Sequence, residues 1–435
     1  MRVLLAHSSL VGFGGTETYM LTVAEQLQRM GHETLVHAAE LGPMAQLVRD
    51  RGVRVLGADE LPAACELVLF QDAPTCLELA PRYESAARIF VAHSVFAGLQ
   101  CPPQIAGACQ AVVALNDRTL RWADALAQPV RLERLRQPVD LDRFRVSAAH
   151  RSGPLRAVVL SNYAFGTRTA ALEEACRDAG VELRWIGSQH GSATPTPELE
   201  LAAANIAIGL GRSVLDAMAS CRPAIVLGTL GGDGWVTPES YATLEADGFT
   251  GRATDRVLDA AELTQELLRF TPELGISSRD LVARHHDVRD HVGELIRIAR
   301  ELEPEPVRSG GVELELARLV RVEWQRQISL ITARAEGNRL ARELQAAREA
   351  AAETATRAAA EQSRAEAEQS RADAAQTLAD QAEARARAEQ ARSEELANTL
   401  TELVATRRWR FAVWLSRPLD RLRELRATVS ARARR

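Results

Sequence analysis

Short apolar runs alternate with helix-patterned stretches from residue 1 to about residue 300, and that alternation leaves few folds open to this chain. Val3–Ala6, Glu33–Ala38, Arg54–Leu56, Leu67–Phe70, Ile89–Ala92 and Ala111–Leu115 read as strands. Thr16–Met30, closed by Gly31, and Pro43–Arg51 read as helices. Apolar runs this short and continuous, separated by helices, predict parallel strands covered on both faces. A second set starts after Arg151-Ser-Gly-Pro154, with strands at Ala157–Leu160, Glu182–Ile186, Ile206–Ile208 and Ala224–Leu227. Its helices are expected at Arg168–Ala179, Leu258–Phe270 and Val282–Leu302. The prediction is an α/β protein of two doubly wound, Rossmann-like domains, 1–147 and 153–305, with a cleft between them. With 435 residues, 46% of them hydrophobic, the chain can fill two such cores and still carry an extension.

That extension is compositionally distinct. After Pro304, Pro306 and Gly310-Gly311, only Gly337 interrupts helix-forming residues before Pro418. Roughly 80 residues at 1.5 Å each would make a rod of about 120 Å. EQSRAEA at 361–367 is followed at once by EQSRADA at 368–374, so Glu361, Arg364 and Glu368 fall at ion-pairing spacings along the helix. The region 312–405 therefore reads as a long helix, either solvated and single or paired through an Ala-rich coiled-coil seam that would make a homo-oligomer. Residues 406–435 hold ten arginines against two acids, with Trp409, Phe411, Val413, Trp414 and Leu415 interleaved. Such a segment suits peripheral contact with an anionic membrane surface, or packing of the Trp pair on a partner.

Other partners are disfavoured by charge. The formal net charge is −5, and the basic excess is confined to the tail, so nucleic acid is not expected. The chain has no lysine; any task usually given to Lys falls to a permanently charged, forked Arg. Six cysteines (65, 76, 101, 109, 176 and 221) stand singly without metal-ligand spacing, as core residues of a reducing compartment would. The opening MRVLLAHSSLVGFGG is too short an apolar run for a signal peptide and fits a first strand better. No run reaches 18 apolar residues, so the protein is expected to be cytoplasmic.

Chemistry concentrates where strands end and helices begin. GFGGTETY (12–19) follows the first strand and opens the first helix, placing Gly14, Gly15 and Thr16 where anions bind to backbone N–H groups. His93 directly follows the strand IFVA and so projects from a carboxyl end towards the cleft. Arg168, beyond SNYAFGT, and Arg212, beyond GLG, each open a helix of the second domain. Two guanidiniums there could converge on a diphosphate. Gly211 and Ser213 flank Arg212. Asp216, one turn on, could accept from sugar hydroxyls or simply favour the positive helix end. Asp140-Leu-Asp142 has the Asp-x-Asp form of some metal sites, but it lies at the interdomain junction and is not expected to hold a metal; no other cluster has metal-ligand spacing.

In this order the pieces resemble the retaining GT-B glycosyltransferases of the glycosyltransferase 4 group. The likeness rests on GGTE after strand one, IFVAHS, QPVDLDRF in place of NGVD-x-x-x-F, LDAMASCRPAIV in place of LEAMA-x-G-x-P-V-V, Gly231-Gly232, and DGFTG at 247–251. GRSVLDAMA followed by GGDGWVTPE resembles a divergent subgroup more closely. The resemblance implies a nucleotide-diphosphate sugar held mainly by the second domain, a glycan or lipid-linked acceptor on the first, and catalysis without metal or cofactor. It makes Arg168 the counterpart of the family's phosphate-binding Lys and puts Asn162 where a second cation usually stands. Asp216 takes the place of the ribose-binding acid. The acid that grips the donor sugar falls on Ile208, which cannot accept a hydrogen bond. Gly232, Asp233 as acceptor and Trp235 as a stacking face are the expected replacement. The extension and tail resemble appendages of bacterial surface-polysaccharide transferases, placing the protein at the inner face of the membrane. The expected activity is sugar transfer, with His93, Arg168 and Arg212 as the catalytic set. The alternative is an inactive GT-B scaffold tethered through its coiled coil.

Overall fold

Val3, Leu4, Leu5 and Ala6 are consecutive and all fully buried, and a strand buried on both faces needs a layer on each. In the computed structural model they lie in β1 (Arg2–Leu10), the third strand of a seven-stranded, wholly parallel sheet. The others are β2 (Glu33–Leu41), β3 (Arg54–Leu56), β4 (Leu67–Phe70), β5 (Ala87–Ala92), β6 (Ala111–Ala114) and β7 (Arg131–Arg134), in the order β3-β2-β1-β4-β5-β6-β7. Strand order reverses beside β1, so the carboxyl ends of β1 and β4 form a crevice there. Helices α1 (Gly15–Arg29), α2 (Pro43–Asp50), α3 (Ala73–Leu79) and α4 (Asp117–Ala125) connect the strands.

The second sheet comprises β8 (Arg156–Leu160), β9 (Glu182–Ile186), β10 (Ile206–Gly209), β11 (Ala224–Leu227) and β12 (Gly232–Trp235). Its order is β12-β11-β10-β8-β9, parallel except for β12, which runs antiparallel to β11. Helices α5 (Arg168–Asp178), α6 (Pro197–Ala203), α7 (Arg212–Ala219), α8 (Tyr241–Asp247), α9 (Ala260–Leu268) and α10 (Glu273–His285) pack around it. The structure describes residues 1–95, 98–126, 130–145, 154–162, 166, 168–229 and 231–308, scattered positions between 312 and 327, and the helix 362–405.

Three expectations need correction. The helix expected over Val282–Leu302 is two: α10 stops at His285, and α11 (Val288–Glu301) starts after Asp287, whose side chain accepts from the Arg289 N–H. The break is held by Val139, whose N–H donates to His286 O (2.7 Å) and whose carbonyl accepts from Val288 N–H (3.1 Å). Beyond it, Val288, Val292, Leu295, Ile296 and Ile298 pack into the core of the first sheet. The last helix of the segment 153–305 thus belongs by packing to the first domain. GGDGW, where no strand was expected, carries edge strand β12.

The third correction concerns 312–405. The chain forms two compact units, Met1–Leu319 and Val320–Arg435. Within the second, Gln362–Ala405 is one helix, and Ser393 Oγ donates to Glu323 Oε1 at 2.7 Å. Seventy residues of straight helix would hold those side chains about 100 Å apart, so Glu323 and Ser393 do not lie on one straight helix. Ala379 and Ala386, buried seven residues apart in step with Ser393, mark the packed stripe. The tail 406–435, and the side chains of Glu361, Arg364 and Glu368, lie outside the described residues.

Candidate functional site

The carboxyl ends of both sheets face a cleft of about 760 Å³. One wall is the turn from β1 into α1, where Phe13, Gly14, Gly15 and Thr16 line the cavity, joined by His93 after β5. The other is built from the ends of β8, β9 and β10: Ser161, Asn162 and Gly187, then Gly211, Arg212, Ser213 and Asp216 at the start of α7. Gly187 is required there, because at its φ of 151° a Cβ would lie 1.8 Å from Ser161 O. Gly211, with φ 54°, turns the chain so that α7 points its N-terminus at the cavity. The amides of Arg212 and Ser213 have no acceptor within the helix. That end also carries the positive pole of the helix dipole.

The structure brings Gly14, Gly15, Thr16, His93, Asn162, Gly211, Arg212, Ser213 and Asp216 together on this cavity, but several are already committed. Asn162 Nδ2 donates across the cleft to Phe13 O (2.8 Å), while its Oδ1 accepts from Ser188 N–H (3.1 Å). Expected at the place of a cation, it instead ties the two walls together. Arg212 is 8% exposed; Nη1 donates to Pro138 O and Nη2 to Thr22 Oγ1, both at 2.9 Å. Its Nε lies 3.4 Å from Asp216 Oδ1. Instead of reaching for a phosphate, this guanidinium clamps α7 to the linker and to α1. Burial pushes the Asp216 carboxyl above its usual range, with Arg212 pulling against it.

Arg168, Gly232, Asp233 and Trp235 are not on the cavity. Arg168 Nη1 donates to Gly228 O (3.2 Å), bracing the loop that carries the cavity-lining Thr229. Asp233, 7% exposed, accepts from the N–H groups of Ala253 (3.3 Å) and Thr254 (2.9 Å) and from Thr254 Oγ1 (2.8 Å). Trp235 is 5% exposed, donates from Nε1 to Glu266 O (2.8 Å), and packs with Phe270 in the second domain's core. Asp233 and Trp235, expected to grip a sugar, do not line this cavity: strand pairing with β11 aims them at the domain's own interior and loop. Ile208 is equally committed, paired in register with Val159 and Ile225 and 1% exposed.

His93 does face the cleft. Its Nε2 is 2.7 Å from Gln71 Oε1, and the Tyr19 ring meets it edge-on at 4.9 Å. Burial, and then the neighbouring His7, His291 and Arg212, push its pKa down to about 3, so the ring is neutral. Asp140 of the Asp-x-Asp motif is 1% exposed and spends its oxygens on Arg29 Nη2 (2.7 Å) and on the N–H groups of Asp142 and Arg143. Burial works to raise its pKa, but the Arg29 hydrogen bond and charge hold it below the usual range. Among the described residues no cluster of His, Cys, Asp and Glu could hold a metal.

Sequence reasoning missed two cationic residues on the cavity. Arg143, in QPVDLDRF, lines it while bound to Glu198 (2.9 Å) and Pro195 O (3.0 Å). Arg252, one residue past DGFTG, lines it beside Thr250. Of the cavity's ionisable residues three are arginines (143, 212 and 252) and one is a carboxylate, Asp216. Arg143 is paired to Glu198 and Arg212 to Asp216, so the uncapped start of α7 carries the pull on an anion.

No family model and no curated protein matches the sequence. Among solved structures, HepE of Anabaena in complex with UDP and glucose is similar, with TM-score 0.52 and 11% identity over 69% of this chain and 100% of that one. Sucrose-phosphate synthase from Thermosynechococcus elongatus matches with TM-score 0.47 and 12% identity, covering 68% of this chain and 98% of that one. The HepE likeness shows a shared fold, two facing Rossmann-like domains of the GT-B type.

Proposed function

We propose that the protein is a glycosyltransferase that takes a sugar from a nucleotide-diphosphate donor and passes it, with retention and without a metal, to a glycan or lipid-linked acceptor. One observation carries the reading: a cavity of about 760 Å³ between two GT-B-type domains, floored by an uncapped helix N-terminus. A diphosphate fits that end. The amides of Arg212 and Ser213, with Arg252 beside them, would stabilise the charge that develops on the departing nucleotide. Arg168 and Arg212 act behind them, holding the Thr229 loop and α7 in place. Asp216 would meet the ribose, and His93 with the Gly14–Thr16 turn the transferred sugar. With His93 neutral and Asp216 paired to Arg212, the leaving phosphate would take the acceptor's proton. We place the enzyme in the cytoplasm, with 406–435 as its contact with the inner membrane face, building a bacterial surface glycan.

A second reading, an inactive GT-B binding protein tethered through its extension, is favoured by Ile208 lying in the sheet and Asp216 being the one carboxylate on the described cavity wall. Thermal shift against UDP-, GDP- and dTDP-sugars separates these from no binding at all; the expected result is stabilisation by one nucleotide class and its loss in Arg252→Ala. If no nucleotide raises the midpoint at millimolar concentration, the transferase reading fails. Given binding, sugar release from the donor is decisive: turnover unaffected by EDTA supports the metal-free transferase, and binding without turnover leaves the scaffold.

A further inference from the structure

Gln71 directly follows β4 and is fully buried. Its amide has one orientation, because Nε2 donates to Leu69 O at 3.2 Å and leaves Oε1 facing His93 Nε2 at 2.7 Å. A carboxamide oxygen can only accept, so His93 carries its proton on Nε2. In a neutral ring the other nitrogen, Nδ1, is then a bare lone pair. Among the described residues nothing donates to Nδ1, and it is not among the buried unpartnered atoms, while the ring lines the cleft. The Tyr19 hydroxyl, on the ring that meets His93 edge-on, is spoken for. His291 Nδ1–H donates to Arg136 O (2.9 Å), so its Nε2 accepts from Tyr19 O–H (2.9 Å), and the Tyr19 proton points away from His93.

We propose that Gln71 is a positioning residue that locks His93 in its Nε2–H tautomer, so that the cleft presents a lone-pair acceptor at Nδ1 and selects a ligand hydroxyl there over a carboxylate. A hydroxyl can donate to Nδ1; a carboxylate has no proton to give and meets lone pair with lone pair. The identity of the ligand rests on the transferase reading: the hydroxyl belongs to the donor sugar, and a uronic acid is disfavoured where its carboxylate replaces that hydroxyl.

The tautomer is tested on the full chain labelled with ¹⁵N-histidine, with His93 assigned as the ring lost in His93→Asn. The expected spectrum shows Nε2 protonated and Nδ1 bare from pH 8 to pH 5. A proton on Nδ1, or a titration near the ordinary value of about 6.5, overturns the proposal. Gln71→Leu removes the acceptor and is expected to bring up the Nδ1–H form; an unchanged tautomer shows that Gln71 does not set it. Gln71→Glu keeps an acceptor but adds a negative charge, so the ring should begin to titrate within the same range. Binding adds an independent arm. UDP-glucose should bind Gln71→Leu about tenfold more weakly than the wild type, while UDP binds both alike. UDP-glucuronic acid should bind the wild type no better than UDP does. Equal losses for UDP and UDP-glucose, or tight binding of UDP-glucuronic acid, overturn the selectivity. If none of the three binds, the UDP-donor reading fails, and the ring spectrum still decides the tautomer.

Discussion

Cys221 sits just past the C-terminus of α7 with φ 58°, in the left-handed region where a Cβ crowds the following carbonyl. The motif LDAMASCRP resembles one that carries glycine at this place, and glycine adopts this conformation without that cost. Cys221→Gly should therefore stabilise the protein by about 0.5–1 kcal/mol, read as a higher urea midpoint at unchanged slope. A lower midpoint would mean that the half-buried thiol contributes more by packing than the backbone loses. How much of the site is legible at this scale depends on where partners lie in the chain. Gly14, Gly15 and Gly211 were readable because a glycine between a strand and a helix has local causes. Arg212 was not, since the groups it binds, Pro138 O and Thr22 Oγ1, are 74 and 190 residues away. Asp233 and Trp235 were misread for a related reason: a polar and an aromatic residue among glycines look like a ligand loop until strand pairing shows which way they face.

The strands with apolar runs were legible, and the ones without were not. β7, Arg131-Leu-Glu-Arg, is an edge strand with no apolar signal, and β12 reads Gly-Asp-Gly-Trp. The α10–α11 break was hidden because helical periodicity runs through it; its cause is the distant Val139. Two histidines hold that junction. His286 bridges Tyr241 OH (2.8 Å) and Gln137 O (2.7 Å), and His291 bridges Tyr19 OH and Arg136 O. Burial pushes their pKa values down to about 3 and about 4. In the unfolded chain both would take up a proton near pH 6.5, while the folded chain would not. The unfolded state thus binds more protons between about pH 6.5 and pH 4, and stability falls as the pH drops through that window. The limiting slope from two protons is about 2.7 kcal/mol per pH unit. Urea unfolding at pH 6.5, 5.5 and 4.5 should show it, and His291→Gln, which cannot titrate, should remove one proton's share, up to about 1.4 kcal/mol per pH unit. The same slope in both proteins would clear His291 of that role.

In the molecule as a whole, the cleft-bearing unit does not end at α11. After α11 the chain crosses the first domain as a strap. Fully buried Arg88 donates to Tyr83 O and Gly107 O (both 2.8 Å) and to Glu305 O; Gln110 Nε2 donates to Glu303 O (2.5 Å), and Arg308 N–H to Ala106 O (3.0 Å). Further on, buried Glu315 pairs with Arg318 and accepts from Gln104 N–H (3.2 Å), and Arg318 also donates to Gly98 O (2.9 Å). Val312, Leu316 and Leu319 line a groove with Leu77 and Ile105. Residues up to 319 therefore belong to the first domain's packing, although their Glu- and Arg-rich sequence reads as the start of the extension. A fragment 1–319 should melt at the temperature of the cleft-bearing unit in the full chain and bind any nucleotide that the full chain binds. A fragment 1–308 uncovers the groove and leaves Gln104 N–H without its carboxylate. Each apolar side chain lost from such a site costs about 1.5–3 kcal/mol at full burial, and these are partly exposed, so the fall should amount to several degrees. Differential scanning calorimetry of the two fragments decides it. Equal midpoints would place the boundary at the strap, and a loss already present in 1–319 would show that the long helix stabilises the domains it follows.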